Sequence, residues 1–461
     1  MSAKTLKERR TVIMELSFPT KPFKTHGGAH VPHHKNTSAK ESVNMPAPEF
    51  VTIAMSQHIG APCKPLVKKG DHVYRGQKIG DNDAFVSAPV HSSISGTVSE
   101  LKQIMLTGGQ MVDAVVIKSD GLMELDPSIT PPEEPKTRED LVKIARESGL
   151  VGLGGAGFPA TVKLNVGPDK NIDTLIINCA ECEPYVTCDH REALENGRNV
   201  LEGIYLVKSL LGIHRCIVAV ESNKPDAIAN LKEMADNQLY DPEDEVRILE
   251  LKSNYPQGAE KVLIQACTGR KVPAGKLPAD VGVIVMNIGS VSFLASYVRN
   301  GIPLIMKRIT VDGSAIKNPM NVIVPVGTSI KDIVEFTGGY KSEPKKIIMG
   351  GPMMGFAVTN DEMPILKQNN GILCFDEKEA KLREPTECIR CGRCVAACPM
   401  NLLPTKLEKY SERKDVEMLK QLDIMTCMEC GCCAFSCPAG RRIVQAIRLG
   451  KSEVRKAGAK K

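Results

Sequence analysis

Two cysteine runs decide how the last part of the chain folds: CIRCGRCVAACP at residues 388–399 and CMECGCCAFSCP at residues 427–438. In each run, three cysteines follow one another at intervals of three residues. A fourth stands four residues later, directly before a proline. Three thiolates this close together on one loop can hold one metal centre. The fourth is carried away from the loop by the chain, so it is placed to ligate a second centre.

Both runs resemble the C-x2-C-x2-C-x3-C-P pattern of bacterial two-cluster ferredoxins, which bind 4Fe–4S clusters. The predicted ligands are Cys388, Cys391, Cys394 and Cys437 for one cluster, and Cys427, Cys430, Cys433 and Cys398 for the other. Zinc is the alternative, but zinc sites usually take cysteines in pairs rather than in threes. Cys432 is an extra cysteine that the spacing makes a non-ligand. The segment 402–425 between the runs is predicted to be helical.

The composition of the whole chain predicts a folded, multidomain protein. It has 461 residues, of which 42% are hydrophobic and 25% charged, and a net charge of +6. The basic start is followed by too short an apolar stretch for a signal peptide, so we expect the 16 cysteines to stay reduced and to serve metal or redox chemistry. With no Trp and only 18 Phe and Tyr, the chain lacks the aromatics of a nucleic-acid stacking surface.

One stretch, residues 281–298, carries no charge and is long enough to be considered as a membrane span. It contains glycines, serines and an asparagine, and its apolar run VGVIVMN is followed by Gly-Ser after one residue. This pattern is more typical of a buried strand that turns into a helix. We therefore predict no membrane span in this chain.

Changes in pattern along the chain predict four modules with an arm and a tail. The module at 46–125 is similar to biotinyl/lipoyl barrel-sandwich domains, but its hairpin segment 81–85 lacks their modified lysine, so it is interpreted as structural. Alternating strands and helices predict an α/β domain with a parallel sheet at 136–305. The segment 306–380 is similar to soluble-ligand-binding β-grasp modules. The remaining predicted regions are a His-rich arm at 1–45, a two-cluster ferredoxin-like α domain at 381–450 and a basic tail at 451–461.

A glycine-rich loop, GLGGAGFPATVK at residues 152–163, is the second candidate site. Its glycines let backbone N–H groups approach a phosphate or a planar ring closely, and Lys163 adds a positive charge. It is not the G-x-G-x-x-G fingerprint, and a tight structural turn is the alternative.

Polar residues follow three of the predicted strands or lie near their ends. The segment NCAECEP begins at Asn178, YPQGAEK begins at Tyr255, and Asn287 directly follows the predicted strand at 281–286. Ligands of α/β sheets bind at the carboxyl ends of strands. We therefore expect these three segments to line a common site, with acidic side chains able to accept hydrogen bonds from ribose hydroxyls.

The glycine loop and the NCAECEP segment resemble the flavin- and NADH-binding subunit of respiratory complex I. In that family the matching motifs read G-R-G-G-A-G-F-P-x-x-x-K and N-A-D-E-S-E-P, so Leu153 stands here where the family has Arg. Ala259 and Met286 likewise replace a Glu and an Asn. The resemblance implies that Glu183 and Glu260 act on the nicotinamide side, together with Phe158. It also implies that FMN is contacted by Gly152, Gly154, Lys163, Asn178, Glu181, Cys182, Gly258 and Asn287. Gly155, Gly157 and Phe158 complete the set of predicted cofactor-binding residues.

The whole chain, beginning with FKTHGGAHVPHHK at residues 23–35, resembles the RnfC family of Rnf complexes, which are membrane-bound, ion-pumping ferredoxin:NAD oxidoreductases. This implies a peripheral subunit on the cytoplasmic face of the membrane. Hydride would pass between NAD(H) and FMN, and single electrons would pass through two 4Fe–4S clusters to partner subunits, with ferredoxin an indirect partner. The alternatives are a soluble flavin-dependent cobalamin reductase and a flavin-free iron–sulfur electron carrier.

Overall fold

A computed structural model of the chain describes residues 18–167, 170–236 and 246–459. The predicted arm is thus described from residue 18 onward. It runs as extended and turn segments and ends in strand β1 (Val43–Asn44). This strand pairs in parallel with Val322 and Ile323, so the arm ends as an edge strand of the β-grasp module.

The second region is a sandwich of short strands, as predicted. Four strands form one antiparallel sheet in the order β2-β8-β7-β4, and three form another in the order β3-β5-β6. Side chains buried from both sheets, among them Val51, Ile79 and Ile117, make its core. The strands are β2 (Phe50–Ala54), β3 (Lys64–Pro65), β4 (His72–Val73), β5 (Lys78–Asp81), β6 (Val90–His91), β7 (Gly96–Met105) and β8 (Met111–Ser119).

The central region is an α/β domain whose four strands are all parallel, in the order β11-β10-β9-β12. The strands are β9 (Thr174–Cys179), β10 (Arg215–Glu221), β11 (Val246–Leu251) and β12 (Val283–Asn287). The helices are α1 (Arg138–Glu147), α2 (Ala160–Leu164), α3 (Cys188–Glu195), α4 (Gly197–Leu211), α5 (Pro225–Asp236), α6 (Glu260–Thr268) and α7 (Ile288–Asn300). The uncharged stretch at 281–298 therefore forms β12 and most of α7, which confirms its interpretation as a buried strand followed by a helix.

The third module is a six-stranded mixed sheet in the order β1-β14-β13-β17-β15-β16. Its strands after β1 are β13 (Met306–Asp312), β14 (Met320–Pro325), β15 (Lys346–Met349), β16 (Phe356–Val358) and β17 (Gly371–Phe375). Helix α8 (Ile330–Phe336), which begins at the capping residue Ser329, covers it with buried Ile330 and Ile333, and the short α9 (Glu377–Ala380) follows β17.

The cysteine-rich region is helical. Its helices are α10 (Arg393–Ala396), α11 (Pro404–Glu412), α12 (Val416–Gln421), a 3-10 turn (Ile424–Thr426), α13 (Cys432–Phe435) and α14 (Ile443–Ala459). The segment 402–425 is helical, as predicted, and it is divided into two helices at Lys414, which takes a left-handed conformation with φ of 53°. The predicted tail is also not separate in its described part, since α14 runs through to residue 459 and buries Lys451.

Within the described ranges, none of the helices combines the length and the apolar character that a membrane crossing requires.

Candidate functional site

The glycine loop closes on itself next to the start of helix α7. The N–H of Gly152 donates to the carbonyl of Phe158 at 2.9 Å, which leaves Gly154 and Gly155 exposed at the apex. A side chain at Gly154 would overlap the amide of Asn287, so the backbone can lie this close only because residue 154 is a glycine. Gly157, with φ of 69°, packs against Gln368.

Asn287 fixes the helix start beside this loop. Its Oδ1 accepts from the N–H of Gly289 at 2.9 Å, and its Nδ2 donates to Asp189 Oδ2 at 2.7 Å. Helix α7 is 13 residues long, and free N–H groups at a helix start favour bound anions. The strand-end asparagine and the glycine loop therefore form a cradle of the kind that holds a phosphate group.

Three other predicted residues meet at the end of the neighbouring strand. The Nδ2 of Asn178 donates to the carbonyl of Gly258 at 2.9 Å, and the N–H of Gly258 points to Cys182 Sγ at 3.4 Å. Asn178 is also the direct register partner of Asn287 across β9 and β12. The structure thus brings the NCAECEP and YPQGAEK segments together with Asn287 at one sheet edge, as expected from the strand ends.

Lys163 and Glu260 form an ion pair at the same edge. The ammonium of Lys163 lies 2.9 Å from Glu260 Oε1 and 2.8 Å from the carbonyl oxygen of Val285. Both side chains stay partly exposed. Val285 lies two residues before Asn287 on β12. The ammonium of Lys163 is therefore held next to the cradle, where it can face an anionic ligand.

Glu181 makes its hydrogen bonds with the start of helix α3. Its carboxylate accepts from the backbone N–H groups of Asp189 at 2.6 Å and His190 at 3.2 Å, so it satisfies free donors at the start of helix α3. Its ligand atoms lie within 4.8 Å of those of Cys188 and Asp189. Because both Glu181 oxygens accept hydrogen bonds from backbone N–H groups, the Glu181 carboxylate acts as a helix cap. FMN contact by Glu181 remains a prediction.

Asp189 is a site residue that the sequence reasoning missed. Burial first, and then the charge of Glu181, raise the pKa of Asp189 to about 7, while Lys307 and the Asn287 amide act in the opposite direction. The bond to Asn287 fixes the orientation of that amide. The signal that could have found Asp189 is weak, because the residue lies ten positions after the strand end.

Glu183 faces the cysteine-rich region. Its carboxylate accepts from the backbone N–H groups of Met353 at 3.0 Å and Met354 at 2.9 Å, in the loop between β15 and β16. The hydroxyl of Tyr255 lies 3.4 Å away. Burial raises the pKa of Glu183, although these hydrogen bonds counteract the rise. Its predicted action on a nicotinamide stays a prediction, as does that of Glu260.

Tyr255 connects the sheet edge to the second cysteine run. Its hydroxyl donates to the carbonyl of Cys430 at 2.7 Å, and its ring packs with Cys430, Cys432 and Cys182 in one apolar cluster. Tyr255 is only 2% exposed. The sequence predicts the YPQGAEK segment as part of the site, but it gives no sign of the part that Tyr255 plays in this contact.

The second cysteine run closes around a cavity. Cys398, Cys427, Cys430 and Cys433, the four predicted ligands of one cluster, all line it. Burial, followed by the neighbouring thiols of Cys430 and Cys398, raises the pKa of Cys427 to about 11, although Lys451 acts in the opposite direction. Four thiols around one cavity, from two different runs, fit a cubane cluster, and metal binding would deprotonate them.

The first run is more exposed than the second, and a thiol of the second run lies near it. Cys388 and Cys391 are exposed, whereas Cys394 is buried. The pKa of Cys394 is raised first by burial and also by the charge of Cys437, so the fourth thiol of the second run lies near the first run. The extra Cys432 turns toward Tyr255, with its Sγ 3.9 Å from that residue's carbonyl oxygen.

The other cysteines near the sheet edge lie in regular structure and not in loops. Cys179 is the last residue of β9 and Cys188 the first of α3, and both are buried. Two of the three replaced family positions, Leu153 and Met286, are buried in the core of the α/β domain.

Family models match the four modules in the same order. They are an RnfC barrel sandwich hybrid domain at residues 23–122, a Nuo51 FMN-binding domain at 145–296, an SLBB domain at 308–357 and a 4Fe-4S dicluster domain at 387–441. Together with the geometry above, they define a flavin- and iron–sulfur-dependent oxidoreductase subunit. This confirms the predicted fold class and the predicted FMN and 4Fe–4S cofactors.

Full-length similarity specifies the family further. The chain is 43% identical over 431 residues to the RnfC-type subunit of the Na(+)-translocating ferredoxin:NAD(+) oxidoreductase complex of Acetobacterium woodii, covering 93% of this chain and 96% of that one. It is 45% identical to the corresponding subunit of the proton-translocating complex of Clostridium ljungdahlii, covering 94% of each. The chain belongs to this RnfC family of ion-translocating ferredoxin:NAD oxidoreductases. In fold it is also similar to a chain of an NAD+-reducing NiFe hydrogenase, with a TM-score of 0.48 and 18% identity. The match covers 68% of this chain and 64% of the hydrogenase chain.

Proposed function

We propose that this chain is the peripheral electron-input and electron-output subunit of a membrane-bound, ion-translocating ferredoxin:NAD oxidoreductase. It would exchange a hydride with NAD(H) at the sheet edge and pass electrons singly through two clusters to partner subunits. The names of the relatives, at 43% and 45% identity over nearly the whole chain, support the kind of complex. The geometry supports the route inside the subunit.

One observation carries the route: the second ligand set lies directly against the flavin-side loop. Tyr255 contacts the carbonyl of Cys430 on one side and packs with Cys182 on the other. Cys182 in turn lies 3.4 Å from the N–H of Gly258. We therefore expect the cluster held by Cys398, Cys427, Cys430 and Cys433, called the second cluster, to be nearer to the sheet edge. The cluster held by Cys388, Cys391, Cys394 and Cys437, called the first cluster, would then be the farther one.

The residues of the sheet edge would bind and orient the cofactor. The start of helix α7, the exposed glycine loop and Lys163 would hold its phosphate. Asn178, Cys182 and Gly258 would face its ring system. Bound FMN supplies the exchange between two-electron hydride transfer and single-electron transfer, which clusters alone cannot perform. Glu260, already paired with Lys163, would lie on the nucleotide side.

The exposed first run would be the exit toward partner subunits. Its loop presents Cys388 and Cys391 at the surface, next to Ile389, which is 67% exposed. Attachment to the membrane would come from partner subunits at the cytoplasmic face, where NAD(H) is found.

The order of the two clusters gives the sharpest test. Anaerobically purified protein is mixed with NADH, and the flavin and both clusters are followed by absorption and electron paramagnetic resonance. In the Cys388→Ser variant, flavin and the second cluster should still be reduced. In Cys427→Ser, the flavin should be reduced while the first cluster stays oxidised, because its nearer relay is missing.

Equal reduction of the first cluster in the Cys427→Ser variant would contradict this route. Iron–sulfur absorption without extractable FMN in the unsubstituted protein would contradict the function itself and favour a flavin-free electron carrier. Rapid NADH-dependent reduction of a cobalamin by the chain alone would favour the cobalamin reductase.

A further inference from the structure

The loop that carries Cys182 and Glu183 has a strained backbone. Glu181 has φ of 48° and Tyr185 has φ of 68°, which is the left-handed region that side chains other than glycine rarely adopt. Such conformations persist where the surrounding structure enforces them. The loop therefore needs partners outside itself, in addition to the bonds that Glu181, Cys182 and Glu183 make at the site.

Three consecutive residues of the N-terminal arm supply those partners. The carbonyl of His33 accepts from the N–H of Tyr185 at 2.9 Å, and the ring of His34 stacks on the Tyr185 ring with centroids 4.7 Å apart. Lys35 donates to the carbonyls of Glu181 at 2.8 Å, of Glu183 at 2.9 Å and of Val186. An ammonium has three donors, and here all three are matched by carbonyl oxygens of one loop.

Lys35 is half-buried, and its ammonium is enclosed by the three carbonyl oxygens of the loop. Burial lowers the pKa of Lys35, and Glu181, Glu221 and Cys182 raise it while Lys224 lowers it further. Lys224 is itself buried and donates to the carbonyl of Ala180 at 2.6 Å. Two ammonium groups thus hold the backbone of the same short loop, between the sheet edge and the second cysteine run.

A buried charge acts strongly because little solvent screens it. Each electron that arrives at the sheet edge or at the second cluster adds negative charge there. A fixed cation on the loop between them stabilises that charge. The first cysteine run lies on the exposed side of the cluster domain, where water screens the effect.

We propose that Lys35 is a positioning residue that clamps the 180–186 loop and raises the reduction potentials of the flavin and of the second cluster. This proposal rests on the proposed function for its electron carriers. It gives the His-rich stretch of the arm a role at the candidate site. His33 and His34 fix the loop's shape, and Lys35 adds the charge.

Potentiometric titration of the full chain tests this proposal. A chemical reductant replaces NADH, so the outcome does not depend on nucleotide oxidation. In Lys35→Met, the flavin and the second cluster should become harder to reduce, with midpoint potentials shifted to more negative values. The first cluster should keep its potential and serves as the internal control. Lys35→Arg retains the charge and should restore most of the shift.

His34→Leu is the matched control for loop geometry without loss of charge, and its potentials should stay close to those of the unsubstituted protein. Unchanged flavin and second-cluster potentials in Lys35→Met would overturn the proposal, and so would equal shifts in His34→Leu and Lys35→Met. If Lys35→Met loses a cofactor, Lys35→Gln, whose amide can still donate to the loop, takes its place under the same criteria. Failure of the proposed function would show separately, as absence of NADH-dependent reduction in the unsubstituted protein.

Discussion

The two cysteine runs have the same spacing but opposite surroundings. Gly392 of the first run has open space around it, whereas a side chain at the matching Gly431 would collide with the carbonyl of Met353. Ile389 is 67% exposed, whereas the matching Met428 packs against the arm and Tyr255. Both glycines have positive φ, so the local backbone is alike. What differs is the cover that other modules provide.

The difference shows that a ligand motif fixes the local loop but not its role. The second run is enclosed by the arm, the Tyr255 segment, the β15–β16 loop and helix α14. Such a site suits an internal relay, because the arm and Tyr255 cover Cys430 and Cys432. The first run, without such cover, suits transfer to another protein. Matched pairs of positions, one in each run, can test this contrast by substitution.

The largest effect is expected from replacing the fourth cysteine of each run by serine. Because Cys398 lines the cavity of the second run, Cys398→Ser should remove the second cluster and leave the first. Cys437→Ser should do the reverse. Iron should fall from about eight to about four atoms per chain in both variants, and electron paramagnetic resonance would show which cluster is lost.

The control for these two substitutions is Cys432→Ser, which should retain about eight irons because Cys432 faces Tyr255. Loss of the first cluster in Cys398→Ser would mean that each run binds its own cluster, and the comparison between a buried and an exposed cluster would then need other ligands.

A smaller effect is expected at the residue directly before the second cysteine of each run. Glu429 in the second run binds Lys451 at 2.6 Å and Arg448 at 2.8 Å, and Lys451 also donates to the carbonyl of Cys427. Arg390 at the matching position is exposed. Glu429→Ala would leave the buried ammonium of Lys451 without its carboxylate and should cost about 3 kcal/mol, the lower end for a broken buried pair, because Glu429 is partly exposed.

Arg390→Ala is the matched control and should change stability by no more than about 0.5 kcal/mol. The measurement is the denaturant midpoint at which the visible iron–sulfur absorption disappears under anaerobic conditions. Equal midpoints for the two variants would show that the Glu429 pairs do not support the second loop.

These contrasts indicate which features the sequence could predict. The spacing of Cys388 to Cys398 and of Cys427 to Cys437 implied the two ligand sets, because short intervals on one loop leave little freedom. The positions of Asn178 and Asn287 after buried strands implied one shared edge, because parallel strands end on the same side. Both are local patterns. Cys398 lines one cavity with the three thiols of the second run, and Asn178 lies opposite Asn287, while the roles of these residues stay predictions.

Contacts between distant segments could not be predicted in this way. Lys35 reaches the loop at 181–186 across about 150 positions of the chain, and no local pattern encodes that distance. Tyr255 and Met353 cover the second run from two other modules. The division of the helical segment 402–425 at Lys414 and the burial of Lys451 in helix α14 were likewise not predicted.

The smallest effect is expected at the apolar residue after the first cysteine of each run. Met428→Ser removes a side chain packed with Tyr255 and Cys432, and it should lower the stability of the cluster domain by about 1–2 kcal/mol. Ile389→Ser changes an exposed side chain and should stay within about 0.5 kcal/mol. The denaturant midpoint of the iron–sulfur absorption measures both. Since the two substitutions introduce the same residue at equivalent positions, their difference reports the cover alone, and equal losses would mean that the second run is no better enclosed than the first.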